Sequence, residues 1–383
     1  MTTLFDKVYG IEAAVTIANS MGDVTEGYRW DDIEEHFGGL VTELLPQAGK
    51  WSPDSYLGDP SKKQTWGHDF IFHPHDRVPG QGEDGLERYR LAVTAIIEKG
   101  GRINIEDLAR VWMRDVTPDK FGYLMGPQDQ VIYYSLLAGV WPWEVGRYAT
   151  FPGMIGVSKM MIAIGSVNAC NPDQAAQDAL EIGRIKDMRG PRDNYALEVA
   201  AGIAAGTAEA MKPSSDVDRV IATVLAQLTD VPRAEVEAGL EWAAQAKDWK
   251  DLRPLYQAKY EGKWMSNAVE ILSSGLANFY MSGGHVEEAI IQAVNMGRDC
   301  DCRAYIAGGF SAALRGIDEV PKRWLEVVTE QVKDDPYTVS RRTPLESAEG
   351  MYRALTNNVA QLKDVVSMVE SQTAVKETKP SMA

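Results

Sequence analysis

Apolar residues along this chain return every three to four positions. Val286, Ala289, Ile290, Ala293 and Val294 would share one face of a helix that Gly297 can end. The same period runs through residues 4–18, 86–99, 105–114, 172–185, 196–211, 217–228, 234–246, 267–280, 304–314 and 348–369. Strict alternation, the mark of a half-buried strand, is scarce, so the pattern predicts an all-α globular domain. No repeat of fixed period is present, which argues against a helical solenoid.

Two segments break the pattern. Residues 50–81 are rich in Pro, Gly, His and Asp. An irregular stretch of that length inside a compact domain is more often functional than idle, and it reads as a lid over a site. Residues 372–383 are polar with little to bury and read as a disordered tail.

Charge narrows the ligand. Acidic residues outnumber basic ones 55 to 39, for a net charge of −16. Such a field repels nucleic acid and anionic membranes and admits metal cations or a small substrate. The first nine residues lack the basic-then-apolar layout of a secretory signal, and no apolar run reaches membrane-spanning length. Three cysteines are too few for a disulfide framework, and a cytoplasmic location is expected.

Carboxylates gather where helices are expected to begin. In Met296-Gly-Arg-Asp-Cys-Asp-Cys302 one helix stops and another starts. Asp299 and Asp301, two apart, can point to one side of an extended turn and chelate a hard cation, or simply cap the following helix. Cys300, between them, points away and is read as structural. The small residues Ala304, Ala307, Gly308, Gly309, Ala312 and Ala313 would let the second helix pack closely. A second pair, Glu83 and Asp84, follows the Gly-rich turn Pro79-Gly-Gln-Gly82 and opens the helix predicted from 86. By itself this pair also suits a helix dipole. Near the N-terminus an apolar helix runs into a polar turn at Gly22-Asp-Val-Thr-Glu26.

Together these segments resemble the three signature regions of the ADP-ribosylglycohydrolase family: Gly-Asp-Ala-Leu-Gly then Glu, Thr-Asp-Asp, and a late Gly-Asp-x-Asp-Thr. Ala18-Asn-Ser-Met-Gly22 stands for the first, with Glu26 on the family's active-site glutamate; Gly82-Glu-Asp84 stands for the second and Arg298-Asp-Cys-Asp-Cys302 for the third. The resemblance covers roughly the first 316 residues. It implies a helical glycohydrolase domain over 1–335, followed by a helical extension over 336–371. It also implies one or two Mg²⁺ or Mn²⁺ ions on Glu83, Asp84, Asp299, Asp301 and Cys302, with Glu26 as general acid/base and a small ribosyl or glycosyl compound as substrate. Asn19, in the first signature, is assigned to substrate binding.

The departures bear on chemistry. Gly82 lacks the family's hydroxyl, Glu83 has a longer arm than Asp, and Cys302 offers a soft sulfur that brings in Zn²⁺ as a further possibility. They also leave room for a relative that binds or supports without catalysis. His68 and His73 in the irregular loop, and Trp143 and Tyr148 in an aromatic turn-rich segment, are further candidates for touching the substrate. The family's Met-Arg-x-x-Pro pattern is not evident around Lys159-Met-Met-Ile-Ala-Ile164. Crowded carboxylates repel one another, so deleting Asp301 is expected to weaken metal binding yet raise the metal-free melting temperature.

Overall fold

The computed structural model describes residues 2–47, 76–122, 125–149, 151–188 and 194–373. Among these, seventeen α-helices form and no strand, the only β pairing being the isolated bridges Gln47 with Arg77 and Met154 with Asn267. The all-α expectation holds.

The first helix, Leu4–Thr25, starts with a capping box in which Thr3 Oγ1 accepts from Asp6 N at 3.1 Å and Asp6 returns a bond to Thr3 N at 2.8 Å. It runs past the predicted end at 18 because nearly all of its length is buried, so no polar face marks where it stops. Along it lies the helix Cys300–Arg315, equally buried. The two approach so closely that a side chain at Gly22 would meet Asp301 N at 2.6 Å. Sequence-distant signatures are thus pressed together by the core itself.

Helix Asp84–Lys99 and the short segment Ile155–Met160, a 3-10 helix, close the site from other sides. The last helix, Pro344–Thr373, is of two kinds. Ala348, Met351, Ala354 and Leu355 are buried against the helices Leu4–Thr25 and Asp84–Lys99, whereas Leu362, Val365, Val366, Met368 and Val369 are exposed. Residues 374–383 lie outside the described residues, as does most of the predicted lid.

Several helices carried no clear period. Met161–Val167 is buried on every side, so nothing polar alternates with its apolar residues. Lys322–Asp334, by contrast, buries Trp324, Val328 and Val332, an i, i+4, i+8 row legible in the sequence. No described helix is long and apolar enough to cross a membrane. All three cysteines are free.

Candidate active site and metal centre

The site is built on a strained turn. After helix Val286–Val294 the chain takes two consecutive left-handed residues, Gly297 at φ 82° and Arg298 at φ 65°. For arginine that conformation costs on the order of 1–2 kcal/mol. It is held by buried bonds: Arg298 Nε donates to Glu270 Oε1 at 2.6 Å and Nη2 to Glu270 Oε2 at 3.0 Å and to the Lys263 carbonyl at 3.1 Å. Its backbone is stitched to the end of the first helix, with Arg298 N donating to Tyr28 O at 2.7 Å and Gly27 N donating to Arg298 O at 2.9 Å. Thr25 Oγ1 adds a bond to Val294 O at 2.6 Å. These bonds bring Glu26 over the start of helix Cys300–Arg315.

Asp299 and Asp301 do not lie in an extended turn. Asp299 is the N-cap of that helix, its Oδ1 accepting from Cys302 N at 3.2 Å, and Asp301 lies in the first turn. Capping uses Oδ1 and leaves the other oxygen of the same residue out of the helix cap. Asp299 Oδ2 and Asp301 Oδ1 are buried and receive no hydrogen bond. One ligand atom from each of Asp299, Asp301 and Cys302 lies within 4.8 Å of the others, so this trio fits a cation.

The second carboxylate pair is already partnered. Glu83 caps helix Asp84–Lys99, its Oε1 accepting from Gly85 N at 2.9 Å. Asp84 pairs with Arg88, which also grips the buried Asp129 at 2.8 and 2.6 Å. Between the two pairs stands Lys159. Its ammonium pairs with Asp301, donates to Asn19 Oδ1 at 2.5 Å, lies 3.9 Å from Glu83 Oε1 and sits 5.3 Å from the centre of the Tyr305 ring.

These neighbours sort the protons. Burial works to raise Asp301, but the adjacent Lys159 ammonium holds it well below the usual range. Burial would also raise Asp84, yet Arg88 keeps it low. Asp299, buried beside the Asp301 charge, is pushed up to about 8. Burial and the charges of Asp301, Asp299 and Asp84 raise Glu26 well above an ordinary glutamate. Burial and the Asp84 and Asp301 charges do the same for Glu83. Burial first, then Asp299 and Asp301, hold the Cys302 thiol in its protonated form. The cations thus hold Asp301 and Asp84 low, while Glu26, Glu83 and Asp299, buried among those charges, are all shifted up.

Of the residues singled out from the sequence, Asn19, Glu26, Glu83, Asp84, Asp299, Asp301 and Cys302 meet in this cluster. Trp143 and Tyr148 do not. Trp143 packs on Trp141 with ring centres 4.7 Å apart, Tyr148 is exposed, and their segment rests against residues 183–187. His68 and His73 lie outside the described residues. Four charged residues of the cluster were not foreseen: Lys159, Arg88, Asp129 and Lys186. Lys186 is buried next to Arg88, and burial together with that charge lowers its ammonium to about 8. A signal existed for Lys159, a lone charge in the otherwise apolar run Met154-Ile-Gly-Val-Ser-Lys-Met-Met-Ile162.

An all-α domain whose distant helix ends converge on an internal carboxylate cluster defines the class. The model of the ADP-ribosylglycohydrolase family matches residues 1–360, and the chain belongs to that family. Among solved structures 45 chains match. One of them, titled "ADP-ribosylglycohydrolase-related protein complex", superposes with a TM-score of 0.57 at 18% identity over 93% of this chain and 100% of that chain, a likeness of fold. No curated protein matches the sequence.

Proposed function

We propose that this protein is a metal-dependent glycohydrolase that cleaves an N- or O-ribosyl bond of an ADP-ribosyl-type or smaller glycoside. One observation carries the reading: Asp299 Oδ2 and Asp301 Oδ1 lie buried without a donor, with Glu26 at the mouth of the same cluster. Unsatisfied buried oxygens are costly, and here they sit where a family signature places ligands. The carboxylate oxygens suit Mg²⁺ or Mn²⁺, and the Cys302 thiol would favour Zn²⁺. When bound, such an ion supplies Lewis acidity to the ribose hydroxyls and to water.

The chain's own residues supply the rest. The Glu26 carboxyl is held well above the ordinary glutamate range, which favours its protonated form, and it is partly open to solvent. It can donate that proton to the departing nitrogen or oxygen as charge develops in an oxocarbenium-like transition state, and recover one from water. Arg88, braced by Asp129, fixes Asp84. Asn19 orients Lys159 by accepting a hydrogen bond from its ammonium.

Chelator-stripped protein is expected to bind Mg²⁺, Mn²⁺ or Zn²⁺ by calorimetry and to release the sugar from N- and O-linked ADP-ribosyl compounds only with the ion. Absence of binding at millimolar concentration defeats the reading. The Lys159 ammonium favours a second one, a relative that holds ligand without turnover. Binding of ADP-ribose with no release under any of the three metals would establish it.

A further inference from the structure

We propose that the ammonium of Lys159 takes the place of one cation in the carboxylate cluster, so that the protein holds a single divalent ion, on Asp299 Oδ2 and Asp301 Oδ1. The inference rests on the metal-dependent reading above and fixes its stoichiometry.

Lys159 is nearly fully buried, and its position is imposed from several sides. The segment Ile155–Met160 is anchored by Ile155 N donating to Ser266 O at 2.9 Å, and Ala268 N donates to Gly153 O at 3.0 Å just before it. Ile162 N donates to Tyr305 Oη at 3.1 Å just after it. The path of the side chain is kept open by Gly85, where a Cβ would stand 2.7 Å from Lys159 Cε and 2.9 Å from Nζ. The ammonium then has three acceptors, the Asp301 carboxylate, Asn19 Oδ1 and, more distantly, Glu83 Oε1. These come from three separate segments of chain, as the ligands of an ion would.

Asp301 divides its two oxygens. Oδ2 faces Lys159, with Cys302 Sγ 3.7 Å from the same oxygen, and Oδ1 is buried without a hydrogen-bond partner, as is Asp299 Oδ2. One side of this carboxylate is therefore satisfied by a fixed positive charge and the other is open. Two of the departures from the family pattern are adjacent in sequence on the occupied side: Gly82 lacks a hydroxyl, and Glu83, which replaces an aspartate, lies 3.9 Å from the ammonium. A divalent ion seated between Glu83 and Asp301 would have to displace the lysine or sit against its charge at contact distance, in a buried place where such repulsion is little screened. The open side carries no such conflict.

The test is stoichiometry. Chelator-stripped protein is loaded with Mn²⁺, and bound ions per chain are counted by native mass spectrometry, with electron paramagnetic resonance to detect coupling between paired ions. The wild type is expected to hold one uncoupled ion. Lys159→Met, which keeps the length of the arm and removes its charge, is expected to hold two. Two ions in the wild type overturn the inference while leaving the metal-dependent reading intact. One ion in both proteins also overturns it. If the wild type holds none and Lys159→Met holds at least one, lysine does occupy a cation place and the metal-dependent reading falls. No ion in either sinks both. Should Lys159→Met fail to fold, Lys159→Met combined with Glu83→Gln, which removes one charge of each sign, is expected to hold one ion with affinity within roughly threefold of wild type. Two ions there would overturn the proposal.

Discussion

The two helix starts that carry the carboxylates use the same local device and end in opposite states. At Glu83–Asp84, as at Asp299–Asp301, an acidic N-cap accepts a backbone N–H of the first turn and a second carboxylate follows close by. In the first case Arg88 meets the Asp84 charge; in the second, Lys159 meets one oxygen of Asp301, and one oxygen of each aspartate is left over. Readiness to bind an ion is thus not a property of the acidic pair or of the helix dipole. It depends on which cations the rest of the fold brings up, and from which side.

The largest expected effect breaks the junction between the two regions. Crowded carboxylates alone would predict that losing Asp301 relieves repulsion and raises the metal-free melting temperature. The Lys159 ammonium reverses that sign. Asp301→Ala leaves a buried ammonium without its counter-charge and is expected to cost about 3–5 kcal/mol in denaturant unfolding of metal-free protein, besides removing metal binding. A variant as stable as wild type would show that Lys159 turns elsewhere and that the two regions are independent.

Glu26 faces both regions, so its loss separates chemistry from assembly. Glu26→Gln keeps shape and hydrogen bonding but cannot exchange a proton as a carboxyl group does. Turnover is expected to fall roughly a hundredfold or more, with metal affinity and melting temperature retained. Full turnover in the variant would remove Glu26 from the proton transfer, and loss of the ion would make it a ligand.

Asp299→Asn against Glu83→Gln compares the two turns directly. Asparagine still caps the helix, so the fold should stand, but metal affinity is expected to drop about tenfold or more, against less than about threefold for Glu83→Gln. Asp299 must also give up its proton to ligate. Its carboxyl is raised to about 8, so metal affinity should climb by about tenfold per pH unit from pH 6 and level off near 8. The same shift has a stability counterpart. A carboxyl group raised on folding stabilises the metal-free protein below the ordinary aspartate range and loses that contribution as pH rises towards 8. Equal losses of affinity in the two variants, or a flat pH profile, would erase the distinction between the turns.

The smallest effect concerns metal preference. If Cys302 ligates, Cys302→Thr should move the ranking from Zn²⁺ or Mn²⁺ towards Mg²⁺, because a hydroxyl oxygen is harder than a thiolate. An unchanged ranking in competition titrations would leave Cys302 as a small buried side chain.

What the sequence determined by itself was local or repeated. Apolar residues at helical spacing specify helices, and so the all-α class, because each helix must bury one face whatever its neighbours are. The three acidic segments were legible because each pairs a helix boundary with carboxylates, a juxtaposition visible within a few residues. Tertiary structure alone decided how their charges were balanced. Lys159 and Asp301 are separated by 142 positions and meet only through packing of the helix Cys300–Arg315 against its neighbours. Arg88 and Asp129, 41 apart, are likewise joined only by the fold. Arg298 stands where the family pattern has glycine, and its left-handed backbone is held by Glu270, 28 residues away in sequence. Spacing encodes which faces are buried; the strength of a charge pair depends on distance and desolvation in space, and no periodicity along the chain records either.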